Sequence, residues 1–202
     1  DLVKRAQKTE IPLAEDAYTA FAQSPFYEAG GRELLERGFA NEVTPPTVAG
    51  AIAVLRLGRD ALRAPATALL TRALRDGSER EQRFVYAAAP RPFAGDLLAV
   101  AKVHAVSTDR PLAVLALGAL ADSGTAADRA DALDRLTAYA KPLPEAPRDP
   151  VARAARGDLA RRKVVAVQQW LEGDLHGDTA AKFAALSGLV RHDRSARELP
   201  LL

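Results

Sequence analysis

Apolar residues recur along this chain at spacings of three and four, and no stretch alternates apolar with polar for long. Val48, Ile52, Leu55 and Leu62 show the spacing, as do Leu69, Leu70 and Leu74, and then Leu97, Val100, Ala101 and Ala105. Leu112, Leu115, Ala116, Ala119 and Leu120 form the most regular stretch. Leu133, Leu136 and Ala140 follow, then Val164, Val167 and Leu171, and lastly Phe183, Leu186 and Val190. A period near 3.6 puts such residues on one face of an α-helix, whereas a half-buried strand would alternate. β-branched residues are sparse, and Ala and Leu, both strong helix formers, dominate. The pattern predicts an all-α protein.

The punctuation agrees. Proline fits the first helical turn, where its missing N–H costs nothing, and Thr44 precedes Pro45, Asp149 precedes Pro150, and Ser107, Thr108 and Asp109 precede Pro111. Glycine marks gaps at Asp76-Gly77, Ser123-Gly124, Gly157-Asp158, Gly173-Asp174 and Gly177-Asp178. Together these predict helices at about 12–23, 31–39, 46–57, 61–75, 79–89, 94–106, 110–122, 127–141, 150–156, 158–172 and 178–191. The short connections imply antiparallel neighbours. The Pro-rich connector Lys141–Pro150 reads as a stiff surface loop or a hinge, and 193–202 as a tail whose Leu199, Leu201 and Leu202 could dock on a groove.

The stretch from Thr108 to Leu136 has a cap-Arg-Pro start, a Leu/Ala-rich helix, an Ala-Leu-Gly-x-Leu end, a short turn and a second helix ending Leu-x-x-Leu. On Arg110, Leu112, Ala113, Ala116, Leu117, Gly118 and Leu120, with Leu133 and Leu136, it resembles a HEAT repeat of the short bacterial HEAT-like form. Fainter echoes pair 46–57 with 61–74, 80–89 with 93–106, and 162–171 with 177–189, at irregular spacings of about 30 to about 50 residues. The resemblance implies an α-solenoid of about four antiparallel helix pairs over 44–192, with 1–43 as an N-terminal helical cap and 193–202 as a tail. A pair of helices cannot bury its own apolar face, and stacking pairs makes a continuous core. The alternative is a globular helical bundle; the two differ in whether contacts run only between chain neighbours. Gly118, inside a helix, is about 1 kcal/mol less favourable than Ala, which fits a neighbouring helix crossing there.

Composition narrows the work such a chain can do. Its 202 residues are 48% hydrophobic and 27% charged, a folded and water-soluble balance rather than a disordered one. The absence of Cys removes disulfides, thiolate metal sites and cysteine nucleophiles. The longest uncharged apolar run, Pro111 to Ala121, is about half of the ~20 residues a membrane-spanning helix needs, so no span is expected. The sequence pI of 9.0 reflects a net charge of only +2, small for a dedicated nucleic-acid binder. Arg far outnumbers Lys and about a fifth of the chain is Ala, as in GC-rich bacterial genomes. The sequence begins at Asp1 rather than Met, as after removal of a leader or inside a longer chain. With the lack of Cys, this leans toward the bacterial cell envelope or periplasm, with the cytoplasm as the alternative.

Motifs for chemistry are not found. There is no phosphate-binding Gly-rich loop, no nucleophile elbow and no zinc or calcium spacing. His104 lies on an apolar helix face and reads as a half-buried structural histidine. His176 sits in a loop among Glu172, Asp174 and Asp178, and His192 follows a helix end. Carboxylate pairs such as Glu33–Glu36 and Asp131–Asp134 read as solvated faces. No metal and no cofactor are expected. Basic residues gather at Arg153, Arg156, Arg161, Arg162 and Lys163, and again at Arg191, Arg194 and Arg197. With Trp170 these are the candidate binding residues, read either as a patch for phosphates or an acidic partner, or as arginines paired with Asp158, Asp178, Asp193 and Glu198. Phe21, Phe26, Tyr27 and Phe39 bunch near the N-terminus, as a capping segment requires. The expected function is non-enzymatic binding or scaffolding of a protein or peptide on the concave solenoid face, with nucleic-acid binding through the basic patch as the alternative.

Overall fold

The computed structural model describes residues 15–41, 43–141, 149–176 and 179–192. They form eleven α-helices and, among the described residues, no strand. The helices are α1 (Glu15–Ala22), α2 (Arg32–Ala40), α3 (Pro45–Arg56), α4 (Asp60–Asp76), α5 (Glu79–Ala88), α6 (Gly95–Ala105), α7 (Arg110–Ser123), α8 (Ala126–Ala140), α9 (Pro150–Arg161), α10 (Ala166–Asp174) and α11 (Thr179–His192). A π-helical turn, Tyr27–Gly31, joins α1 to α2. It breaks at Gly30, whose φ of +103° suits glycine alone, and a side chain at Gly31 would meet the Phe26 and Phe21 carbonyl oxygens at 2.6 and 2.7 Å. Among the described residues no helix is long and apolar enough to cross a membrane.

Helix starts follow local chemistry. Thr44 with Thr47, Ser78 with Glu81, and Thr125 with Asp128 close reciprocal capping boxes at α3, α5 and α8. Of the three candidate caps before Pro111, Asp109 does the capping, accepting from the Leu112 N–H at 3.1 Å. Asp149 does the same for Val151 at 2.9 Å. Two predicted gaps are corrected, one of them Gly173-Asp174, which lies inside α10 rather than after it. Gly157 does not separate two helices: α9 runs through it to Arg161, and the chain turns at Lys163, whose φ is +58°. The reason is Asp158, buried and held by arginines on its own helix, which makes the Gly-Asp pair a packing feature rather than a turn.

By its contacts the chain divides into two compact units, Asp1–Val103 and His104–Leu202. In the first, α3 is central and packs against α1, α2, α4 and α5. It is apolar nearly all round, with Val48, Ala51, Ile52, Ala53 and Val54 buried, as a helix enclosed by others must be. Phe21, Leu35, Leu62, Leu69, Leu70, Leu74 and Tyr86 fill the space around it. In the second, α7 packs on α8 and α9, and α9 also packs on α8, α10 and α11. Leu117, Leu136 and Leu159 are wholly buried at those contacts. Within each unit every substantial helix contact among the described residues joins a helix to the next, or to the next but one.

Each large core side chain replaces contacts that the many alanines cannot make. Leu117→Ala and Leu136→Ala are expected to cost about 2–5 kcal/mol each, read as a lower urea midpoint at unchanged slope. Gly118→Val, which forces a branched side chain against the Asp158 carboxylate 3.1 Å from an ideal Cβ, is expected to cost about 1–3 kcal/mol in the same assay.

Candidate functional site

A helix leaves its last four carbonyl oxygens without intrahelical partners, and a cation placed there also opposes the negative end of the helix dipole. This chain meets that need with arginine. Arg59, just past α3, donates to the carbonyl of Ala22 at the end of α1 at 3.0 Å. Arg72 of α4 donates to the carbonyl of Phe39 and, at 3.1 Å, to that of Asn41, both at the end of α2. Arg56 of α3 reaches Ala88 at the end of α5 at 2.6 Å. Arg135 of α8 reaches Ala105 at the end of α6. Arg156 of α9 reaches Ala140 at the end of α8 at 2.7 Å. In the first three ties the arginine sits near its own helix's C-terminal end, so those next-but-one helices run parallel.

The densest group lies between α7 and α9. Arg162, just past α9 and 15% exposed, donates to Asp122 at 2.6 Å and to the Gly118 carbonyl at 2.7 Å, and lies 3.1 Å from the buried Asp158 carboxylate. Arg161 also donates to Asp158. Arg156 pairs with Asp174 of α10. At the other end of the two helices Arg110 donates to Asp149 at 2.7 Å. Start meets start and end meets end, so α7 and α9 are parallel and offset by about 40 residues, Asp109 matching Asp149 and Asp122 facing Arg162. Gly118 is explained by this contact: its missing side chain makes room for the Asp158 carboxylate.

The candidate binding residues therefore divide. Arg156, Arg161 and Arg162 come together, but in ion pairs within the unit; Asp158 is the one expected partner that the described residues contain. Lys163 is exposed at the turn and Arg153 partly exposed on α9. Trp170 is half-buried on α10, next to the buried Leu171. Arg191 lies in the last turn of α11, while Arg194, Arg197, Asp193 and Glu198 lie outside the described residues, as do 177–178 and the prolines of 142–148. Sequence reading missed Asp122, Asp174 and Arg110 as network members. The signal that could have found them is the equal offset between the two Asp-capped, Pro-started helices.

The titratable groups are set by structure. Burial pushes the Asp149 carboxyl up, but the Val151 and Ala152 N–H groups and the Arg110 guanidinium more than offset this and hold it below the ordinary 3.8. His104 is half-buried; burial lowers its pKa, opposed by the charge of Asp109. Burial pushes the Tyr86 hydroxyl far up. His176 is exposed. Among the described residues no group of three or more His, Asp or Glu side chains is placed to hold a metal ion. The chain matches no known protein family, and no curated protein and no solved structure matches it.

Removing Arg162 takes an ion-pair partner from Asp122 and from the buried Asp158, and the donor from the Gly118 carbonyl, so Arg162→Met is expected to cost about 3–5 kcal/mol of unfolding free energy. Breaking the exposed Arg63–Asp60 pair with Arg63→Gln should cost less than about 1 kcal/mol. A carboxyl whose folded pKa is depressed adds stability at higher pH, which is lost as pH falls from about 3.8 through the lower folded value. Asp149→Asn should accordingly flatten the acid side of the stability profile, measured as urea midpoint between about pH 5 and pH 2.

Proposed function

We propose that this chain is a non-enzymatic helical-repeat protein, HEAT-like in construction, that binds or scaffolds another protein or peptide along an open flank of its stacked helices. The observation that carries the reading is the contact order within each unit: a helix meets its neighbour and its next-but-one helix, with the ties above keeping next-but-one helices parallel. Stacked helix pairs make contacts of this kind, and a stack leaves a long surface uncovered by chain. The pairing of α7 with α9 at a matched offset supports two successive repeats of one design. The pairing of Arg156, Arg161 and Arg162 with Asp174, Asp158 and Asp122 argues against a nucleic-acid reading, because charges spent in ion pairs displace few counterions.

The reading is tested by crosslinking the tagged protein in extract of its native cells and identifying the products by mass spectrometry. A specific protein partner, crosslinked through residues on one flank of the helices, is the expected result. Products no different from those of a tag-only control would overturn it.

A further inference from the structure

In an antiparallel helix pair the start of one helix lies beside the end of the other. Where the start of α7 meets the end of α8 there is a cleft of about 290 Å³, lined by Arg110, Arg135, Ala138 and Tyr139. The Arg110 guanidinium is fixed by its bond to Asp149 and lies 5.8 Å from the centre of the Tyr139 ring. Arg135 is fixed by the Ala105 carbonyl, and its distance to Asp131, 3.6 Å, is too long for a hydrogen bond. A guanidinium has five N–H donors in a rigid fork. Among the described residues nothing accepts from Nε or Nη1 of Arg110, from Nε of Arg135, or from the Tyr139 hydroxyl. Two pre-oriented cations and a phenol thus present unused donors around one small opening.

We propose that this cleft binds a carboxylate of an acidic peptide segment, gripped between Arg110 and Arg135 with the Tyr139 hydroxyl donating to it and Ala138 against the adjoining methylenes. The charge balance selects a carboxylate over a phosphate. Each arginine already faces one aspartate, Asp149 or Asp131, so the site carries little net positive charge, and a dianion would sit beside two carboxylates. A single negative charge in bidentate contact gains the geometry with about half of that repulsion. The inference rests on the proposed binding role only for a macromolecular source of the carboxylate; the cleft itself does not depend on it.

The test uses the full chain and fluorescein-labelled decapeptides of alternating Glu and Ala, with Gln and phosphoserine counterparts and a labelled DNA duplex, read by anisotropy at low salt. The Glu peptide should bind, and the Gln peptide at least about tenfold more weakly. Arg135→Gln should weaken the Glu peptide about tenfold and Tyr139→Phe a few-fold, while Arg63→Gln, far from the cleft in sequence and already in an exposed pair, should leave it unchanged. Helical circular dichroism and Trp170 emission confirm that each variant is folded. Equal binding of Glu and Gln peptides, unchanged binding by both cleft variants, or tighter binding of the phosphoserine peptide or the duplex would overturn the proposal. A partner whose yield of crosslinked product is unchanged when excess Glu peptide is added before the crosslinker would overturn the cleft as its docking site and leave the broader binding role standing.

Discussion

Arginine reaching from one helix to the carbonyl end of another is the interaction on which this structure depends. The constraint behind it is the side-chain size that alanine imposes. An Ala-rich helix face lets helices approach closely but buries little apolar area, at roughly 0.8 kcal/mol per buried methylene-sized group. Hydrophobic attraction is also non-directional, so smooth faces of Ala with scattered Leu set proximity better than register. Register comes from polar ties. Arg56, Arg59, Arg72 and Arg156 each donate to a carbonyl at a helix end that has no partner within its own helix, and each fixes the level at which two helices meet. An Arg head group suits this work because its charge is permanent and its donors are rigidly arranged.

The same logic explains the polar interior of the second unit. Asp158 would be a costly buried charge by itself. With Arg161 and Arg162 beside it and Gly118 opposite, it joins α9 to α7 and fixes their parallel offset. The glycine, the aspartate and the arginines make sense only as a set. Arg162 is the member that bonds to both helices, through Asp158 on one side and Asp122 and the Gly118 carbonyl on the other, and it does so largely shielded from water, where an ion pair weighs more than at the surface.

Much of the fold was legible in the sequence because its signals are local. The three-and-four spacing of Leu112 to Leu120, the Asp-Pro and Thr-Pro starts and the Ser123-Gly124 end are chemistry within one turn, and those elements appear as expected. Gly157 misled for a physical reason: a Gly-Asp pair signals a turn when the aspartate caps a backbone, but Asp158 points into a neighbouring helix instead. Lys163, which takes the positive φ at the actual turn, carries no compositional mark of it. The site was less legible. The cluster of basic residues was visible, but whether an arginine faces solvent or a carboxylate 40 residues away is set by helix pairing, and no local pattern encodes that. Arg110 and Tyr139 meet for the same reason, through the hairpin that folds α8 back along α7.

The most direct measurement of this account is a double-mutant cycle on Asp122 and Arg162, comparing Asp122→Ala, Arg162→Ala and the pair by urea unfolding. If the tie fixes α9 against α7, the coupling free energy will fall in the range of about 1–3 kcal/mol. Strict additivity, with coupling indistinguishable from zero, would mean that the helices are held in register by something else and would contradict the account.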